Sequence, residues 1–257
     1  MTIHATAIVH PDAHIGEGVS IGAYSIVGEH VEIGANTTVG PHVVLEGHTR
    51  IGCDNRIFQF CSIGAAPQDK KYAGEPTQVE IGDRNTLREC CTVNRGTIQD
   101  TGITRIGNDN WIMAYVHVAH DCVVGNNIIF ANSTQLAGHV QVGDWAILGG
   151  ITGVHQYVRI GAHSMTSVAS ALLQDLPPYV MAAGNPAEPR SINAEGLKRR
   201  GFSAAAITAI RRGFKTLYRS GMLLEEARSV IVADAARVPE LLILADFLQQ
   251  SGRGIIR

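Results

Sequence analysis

The sequence predicts an all-β fold, a parallel β-helix of hexapeptide repeats, followed by a C-terminal α-helical domain. Three observations carry this. An aliphatic residue recurs at every sixth position through most of the chain. Glycine commonly follows that residue, and small, β-branched or Asn residues fill the fifth place. Beyond Asp175 the six-residue period stops and helical spacing takes over. A period of six fits neither an amphipathic helix at 3.6 nor a single strand at 2. It fits short strands joined by tight corners, stacked in coils with the aliphatic residue pointing into a narrow core.

In chain order, the first run is Ile3, Val9, Ile15, Ile21, Val27, Ile33, Val39, Leu45, Ile51, Ile57 and Ile63, without a miss. Glycines such as Gly16, Gly22, Gly28 and Gly34 are expected at corners, where they tolerate left-handed backbone. Residues 65–79 carry two prolines, a glycine and several charges, and read as a loop thrown out of the coil. The repeat resumes at Ile81, Leu87 and Val93, and a second excursion covers 99–105. Ten further hexads run from Ile106 to Ile160. With three hexads per turn and strands about 4.8 Å apart, the prism is roughly 40 Å long. Pro177-Pro178 and Asn185-Pro186 end the coil, which places the domains at 1–190 and 191–257. Ser203 is an N-cap candidate for a helix from Ala204 to Ser220 with Gly221 as its stop, and two more helices are expected near 223–236 and 239–252.

Composition narrows the function classes. A net charge of −2 over 257 residues gives no general bias toward nucleic acid. No apolar run reaches membrane-spanning length, and Met1 to Asp12 lacks a signal-peptide pattern, so no membrane insertion is expected. The cysteines (Cys53, Cys61, Cys90, Cys91, Cys122) number five and form no CxxC pair. They read as buried thiols in a reducing cytoplasm.

The chemistry concentrates at His117-Val118-Ala119-His120-Asp121. Residues 18 apart stack on neighbouring coils, which aligns Val118, Leu136 and Val154, with Val93 one coil earlier. Asn94, His120, His139 and His155 then share one strip, Gly138 stacks on His120, and His117 lies at the corner leading in. A solvated polar face is the bland alternative, but polar groups converging from successive coils favour a site. A histidine can act as general base on a hydroxyl, and a backbone N–H near Gly138 can stabilise an oxyanion. Together they suit acyl transfer from a thioester to an alcohol without a covalent enzyme intermediate or cofactor. The same ingredients allow a different class: His117, His120 and His139 as zinc ligands, as in gamma-class carbonic anhydrases. A basic cluster in the tail (Lys198, Arg199, Arg200, Arg211, Arg212, Lys215) is either a solvated helix face or an anion site.

Several motifs resemble the UDP-N-acetylglucosamine O-acyltransferases that start lipid A synthesis in Gram-negative bacteria. They are Gln68-Asp69-Lys70-Lys71-Tyr72-Ala73-Gly74-Glu75-Pro76, Ala119-His120-Asp121, Leu136-Ala137-Gly138-His139-Val140, Val154-His155-Gln156, and Glu195-Gly196-Leu197-Lys198-Arg199-Arg200-Gly201-Phe202. The resemblance spans essentially the whole chain. It implies a homotrimer of left-handed β-helices that moves a 3-hydroxyacyl group from acyl carrier protein to the sugar 3-OH. By position, His120 matches the general base, Asp121 its orienting partner and Gly138 the oxyanion donor. Alternation along a strand argues against Asp121 facing the same way as His120. Gln68, Asp69 and Lys71 match sugar and acyl contacts. His117, His139, His155 and Gln156 match the cleft lining, and Asn193, Glu195, Arg199 and Arg200 match the nucleotide end. The chain departs from the family pattern at Asn94, where histidine is common. It also departs at Met165–Ala169, where Val168 aligns with a glycine of long-chain members and Met165 lies close by. These two residues are expected to act as an acyl-chain ruler favouring shorter chains. The sister UDP-3-O-acylglucosamine N-acyltransferase is the nearest competing assignment, but it carries an N-terminal uridine-binding domain before its coils.

Overall fold

In the computed structural model, which describes residues 1–250 and 254–257, two-residue strands alternate with corners and stack into three parallel sheets. The first sheet starts at Thr2–Ile3, the second at Ile8–Val9 and the third at His14–Ile15. Successive coils pair in register, as in Thr92↔His117↔Gln135↔Gly153 and Val93↔Val118↔Leu136↔Val154. The architecture is a left-handed parallel β-helix.

The hexad aliphatics fill the axis: Ile21 to Ile160 are nearly all buried, with Leu45, Ile63, Leu87, Phe130, Leu136 and Leu148 at 0% exposure. Each such side chain contributes about 1.5–3 kcal/mol by leaving water. Ile3, at the open end, has no coil beneath it and stays exposed. The fifth-place residues are also internal and satisfy corner carbonyls: Ser25 Oγ donates to Gly40 O at 2.7 Å, Thr37 Oγ1 to Gly52 O at 2.9 Å, and Asn55 Nδ2 to Gly82 O at 2.8 Å.

Gly18 takes a left-handed corner as expected, with φ 72°, but most glycines that directly follow the aliphatic residue do a different job. The left-handed corner position falls three residues after the aliphatic one, and Tyr24, Asn36, His42, Asp54 and Phe60 occupy it with φ between 56° and 64°. The glycine after the aliphatic residue is required by close approach. A Cβ on Gly22 would lie 2.6 Å from Gly40 C, and one on Gly34 2.5 Å from Gly52 C.

The loops begin and end elsewhere than expected. The strands Ser62–Ala65 and Gln78–Ile81 confine the first excursion to 66–77. The second covers 95–102, because Ile103–Ile106 is a four-residue strand paired to Gln78–Ile81. The two prolines do not end the coil either. They sit in a corner, where no ladder N–H is needed, and Val180–Ala183 adds another parallel strand before turning antiparallel into Glu188–Ile192. Then follow α1 (Ala194–Arg199), α2 (Ala204–Arg219), α3 (Leu224–Ala235), a 3-10 turn at Pro239–Leu241 and α4 (Leu242–Gln249). Ser203 caps α2 by accepting from Ala206 N–H at 3.1 Å. The expected third helix spanned 239–252; its residues 251 and 252 lie outside the described set. No helix among the described residues is long and apolar enough to cross a membrane.

Candidate active site

His120 and Asp121 lie at the corner between the second and third sheets, just past the strand His117–Val118. Strand alternation does not apply there, since Asp121 has φ 58°. That left-handed turn brings its carboxylate round to His120, whose Nδ1–H donates to Asp121 Oδ2 at 2.9 Å. Asp121 also accepts from Thr97 N–H at 3.0 and 3.1 Å and from Thr97 Oγ1–H at 2.6 Å. Burial pushes the carboxyl pKa up, but the hydrogen bonds from His120 and Thr97 outweigh it and hold the group below its usual value. The result is a buried carboxylate that fixes the tautomer of a 15% exposed imidazole. Its other nitrogen, Nε2, is left to take a proton.

The residue stacked on His120 in the next coil is Gly138. A Cβ there would sit 2.5 Å from His120 Cε1 and 2.6 Å from Nε2, so only glycine leaves room for the ring. The coil-to-coil ladder at this turn is carried by Ala137 N–H to Val154 O and His139 N–H to His120 O. The Gly138 N–H lies outside that ladder, beside the imidazole.

His139 is one place further round than the single strip implied, in register with Asp121 and Tyr157. Its ring stacks on Tyr157 at 4.3 Å and meets His120 edge-on at 5.0 Å. Its Nδ1 lies 2.8 Å from Asp100 Oδ2, a residue that sequence reasoning missed. His117 pairs with Thr92 Oγ1 at 2.7 Å, and burial, then the neighbouring His120, lower its pKa. Asn94 is buried, and its Oδ1 has no partner among the described residues.

Along the outer face of the second sheet runs a groove of 440 Å³, lined by His117, Gln135, Gly153, His155, Ala171 and Leu173 among others. A side chain on Gly153 would enter open space, so this glycine floors the groove. Gln156 is exposed just beyond His155. Gln68, Asp69 and Lys71 lie on the 66–77 loop, where Asp69 Oδ1 accepts from Lys71 N–H at 2.9 Å. Arg95 braces this loop, donating to Tyr72 Oη at 3.0 Å and Gly64 O at 2.6 Å.

The remaining candidates lie elsewhere on the prism. Asn193 caps α1, accepting from Gly196 N–H at 3.2 Å, and donates to His163 O at 3.1 Å. Glu195 pairs with Lys198 at 2.8 Å, and Arg199 is exposed. Arg200 donates to Trp145 O at 3.0 Å, at the corner between the third and first sheets. Met165 belongs to the first sheet, paired with Ile147 and Met181. Val168, 67% exposed, stands at the first-to-second corner. One chain therefore does not bring these residues to the His120 corner.

The zinc set also changes. Among the described residues, the donors that approach within 4.8 Å of one another are those of His120, Asp121 and His139, not of His117. Asp121 is already the acceptor for Thr97 and His120, which fits an orienting carboxylate better than a metal ligand.

A UDP-N-acetylglucosamine O-acyltransferase domain 2 model matches residues 175–256, and a bacterial transferase hexapeptide model matches 12–47 and 103–138. The acyl-(acyl-carrier-protein)--UDP-N-acetylglucosamine O-acyltransferase of Thiobacillus denitrificans is 62% identical over 256 residues, covering 100% of this chain and 99% of its own length. The solved UDP-N-acetylglucosamine O-acyltransferase of Moraxella catarrhalis is 47% identical with a TM-score of 0.98, covering 100% of each chain. The UDP-N-acetylglucosamine acyltransferase of Francisella novicida is 42% identical, also at 0.98, covering 100% of this chain and 94% of its own. The stacked coils, the helical tail and full-length identity at this level have one consequence: the chain belongs to the UDP-N-acetylglucosamine O-acyltransferase family.

Proposed function

We propose that the protein transfers a 3-hydroxyacyl group from acyl carrier protein to the 3-OH of UDP-N-acetylglucosamine, the first step of lipid A synthesis, in the cytoplasm. The observation that carries the mechanism is the His120 ring, oriented through Nδ1 by a buried carboxylate and resting on Gly138. His120 Nε2 takes the proton of the sugar 3-OH as its oxygen attacks the thioester carbonyl. The oxyanion accepts from Gly138 N–H. As the intermediate collapses, the C–S bond breaks and the carrier thiolate takes the proton back from His120. Base and oxyanion donor complete the reaction without a metal, so dialysis against a chelator should leave turnover unchanged. Activity lost on chelation and restored by zinc would favour the hydratase-like reading.

In this reading Asn94, His117, His139, His155 and Gln156, with Gln68, Asp69 and Lys71 on the loop, line the sugar and acyl cleft. Asn193, Glu195, Arg199 and Arg200 take the nucleotide end, the guanidinium groups suiting a diphosphate. These two sets stand on different corners of one prism. A homotrimer, with one copy's nucleotide residues facing the next copy's His120 corner, completes the site. The exposed column Tyr24, Phe60, Tyr115 and Ile151 at the first-to-second corner is the kind of apolar ridge such packing covers. Val168 belongs to the same corner and reaches the groove only when a second copy lies against it.

Mass spectrometry of the products formed with a panel of 3-hydroxyacyl carrier proteins tests the reading. The expected product is the 3-O-acyl sugar nucleotide, and N-acylation or free acid alone would overturn it. The same panel tests the ruler. Each methylene left unburied forfeits about 0.8 kcal/mol, so Val168→Gly should shift the preferred chain longer by two to four carbons, about tenfold to several hundredfold in kcat/KM. An unchanged profile removes Val168 as the ruler.

A further inference from the structure

The looped-out segment 95–102 holds the site from two sides. Thr97 fills the acceptor positions of Asp121, and Asp100 reaches His139 Nδ1 at 2.8 Å. The two ends of this second contact differ in burial: the His139 side chain is 9% exposed, that of Asp100 42%. An ion pair with one partner so open to water contributes little to stability. The ring it holds, however, forms the wall beside His120. Tyr157 fixes one face of that ring at 4.3 Å and an interplanar angle of 9°. Its edge meets the His120 ring at right angles, and its Nε2 is 3.9 Å from Asp121 Oδ2, beyond a direct hydrogen bond. Among the described residues, rotation about the ring axis is thus restrained by one direct polar contact, that to Asp100.

We propose that Asp100 is a positioning residue for the acyl transfer. Its carboxylate accepts the Nδ1–H of His139, sets the tautomer and plane of that ring, and so keeps the wall against which His120 is held. Asp100 does not touch the reacting atoms; it acts through His139. The inference deepens the function proposed above and rests on it. It also gives the second excursion a role: one short loop orients both imidazoles, Asp121–His120 through Thr97 and His139 through Asp100.

The test uses the full-length protein, with Asp100→Ala and Asp100→Asn made in parallel. Alanine removes the acceptor, while asparagine keeps an oxygen in the same place without the charge. Asp100→Ala should lower kcat about tenfold, the scale of a misplaced but intact catalytic group, with little change in the KM for UDP-N-acetylglucosamine. Asp100→Asn should recover most of the loss. The Nδ1–H resonance of His139 in 15N-labelled protein should persist in wild type and Asp100→Asn and be lost in Asp100→Ala. Melting temperatures should change little, because a contact whose Asp100 end is open to water contributes little to stability. Wild-type kcat in Asp100→Ala, or a loss of kcat with the His139 signal intact, overturns the inference. Absence of the O-acylated product from wild type would instead strike the function itself, which keeps the two failures apart.

Discussion

His120→Ala is expected to lower kcat by about 10²–10⁴-fold, the usual scale for removing a positioned general base. The size follows from how completely the fold commits this imidazole. Its Nδ1–H is taken by Asp121, its ring lies on Gly138, and no other histidine has the same register. His139 is edge-on at 5.0 Å but is itself held by Asp100 and Tyr157, so it cannot swing in to substitute. The substitution should not unfold the protein. Asp121 keeps the hydrogen bonds from Thr97, and the column of buried aliphatics beneath the corner is untouched. Steady-state turnover beside a melting curve checks this. Near-wild-type kcat in a folded variant would remove His120 as the base.

Gly138→Ala is expected to cost about 10²–10³-fold in kcat, comparable to losing an oxyanion donor, although it adds one methyl group and deletes nothing. The new Cβ would sit 2.5 Å from the His120 ring, well inside van der Waals contact. Either the ring turns and breaks its bond to Asp121, or the Gly138 corner moves and takes its N–H away from the oxyanion. Both outcomes disable the same step. The backbone itself is not strained by the change, since Gly138 is not among the positive-φ residues. The loss should therefore appear in kcat with little change in melting temperature. Full activity in Gly138→Ala would show that the ring does not rest there during turnover.

The coil was legible because one buried aliphatic per strand is a strong and simple signal. Val118, Leu136 and Val154 align in the structure as their spacing of 18 requires. The stacking of Gly138 on His120 follows from the same count. What the period does not encode is direction at the corners. Asp121 turns back to His120 because its φ is positive, and alternation along a strand has no bearing on a left-handed turn. Asn94, His139 and His155 do not share one strip with His120 for a different reason: Asn94 and His155 stand one place after the hexad aliphatic, His120 two and His139 three. Loop paths are also invisible to a repeat. Asp100 lies in an excursion about which the repeat says nothing, and only the path of the 95–102 segment brings it to His139. The nucleotide-end residues were named from the resemblance, but the sequence did not reveal that three sheets set them on another corner from the histidine.

In the proposed mechanism acyl transfer is direct, with the sugar hydroxyl activated by His120 and no acyl group ever held by the protein. The natural covalent rival, Cys122, is fully buried, donates its thiol to Ala137 O at 3.2 Å, and is pushed by burial up to about 12, far from a reactive thiolate. Intact-protein mass spectrometry tests this directly. The protein is mixed with 3-hydroxyacyl carrier protein alone and quenched over the first turnovers, then the run is repeated with UDP-N-acetylglucosamine present. The account predicts an unmodified protein mass in both, with 3-O-acyl product only in the second. A protein heavier by one 3-hydroxyacyl group, discharged when the sugar nucleotide is added, would contradict it.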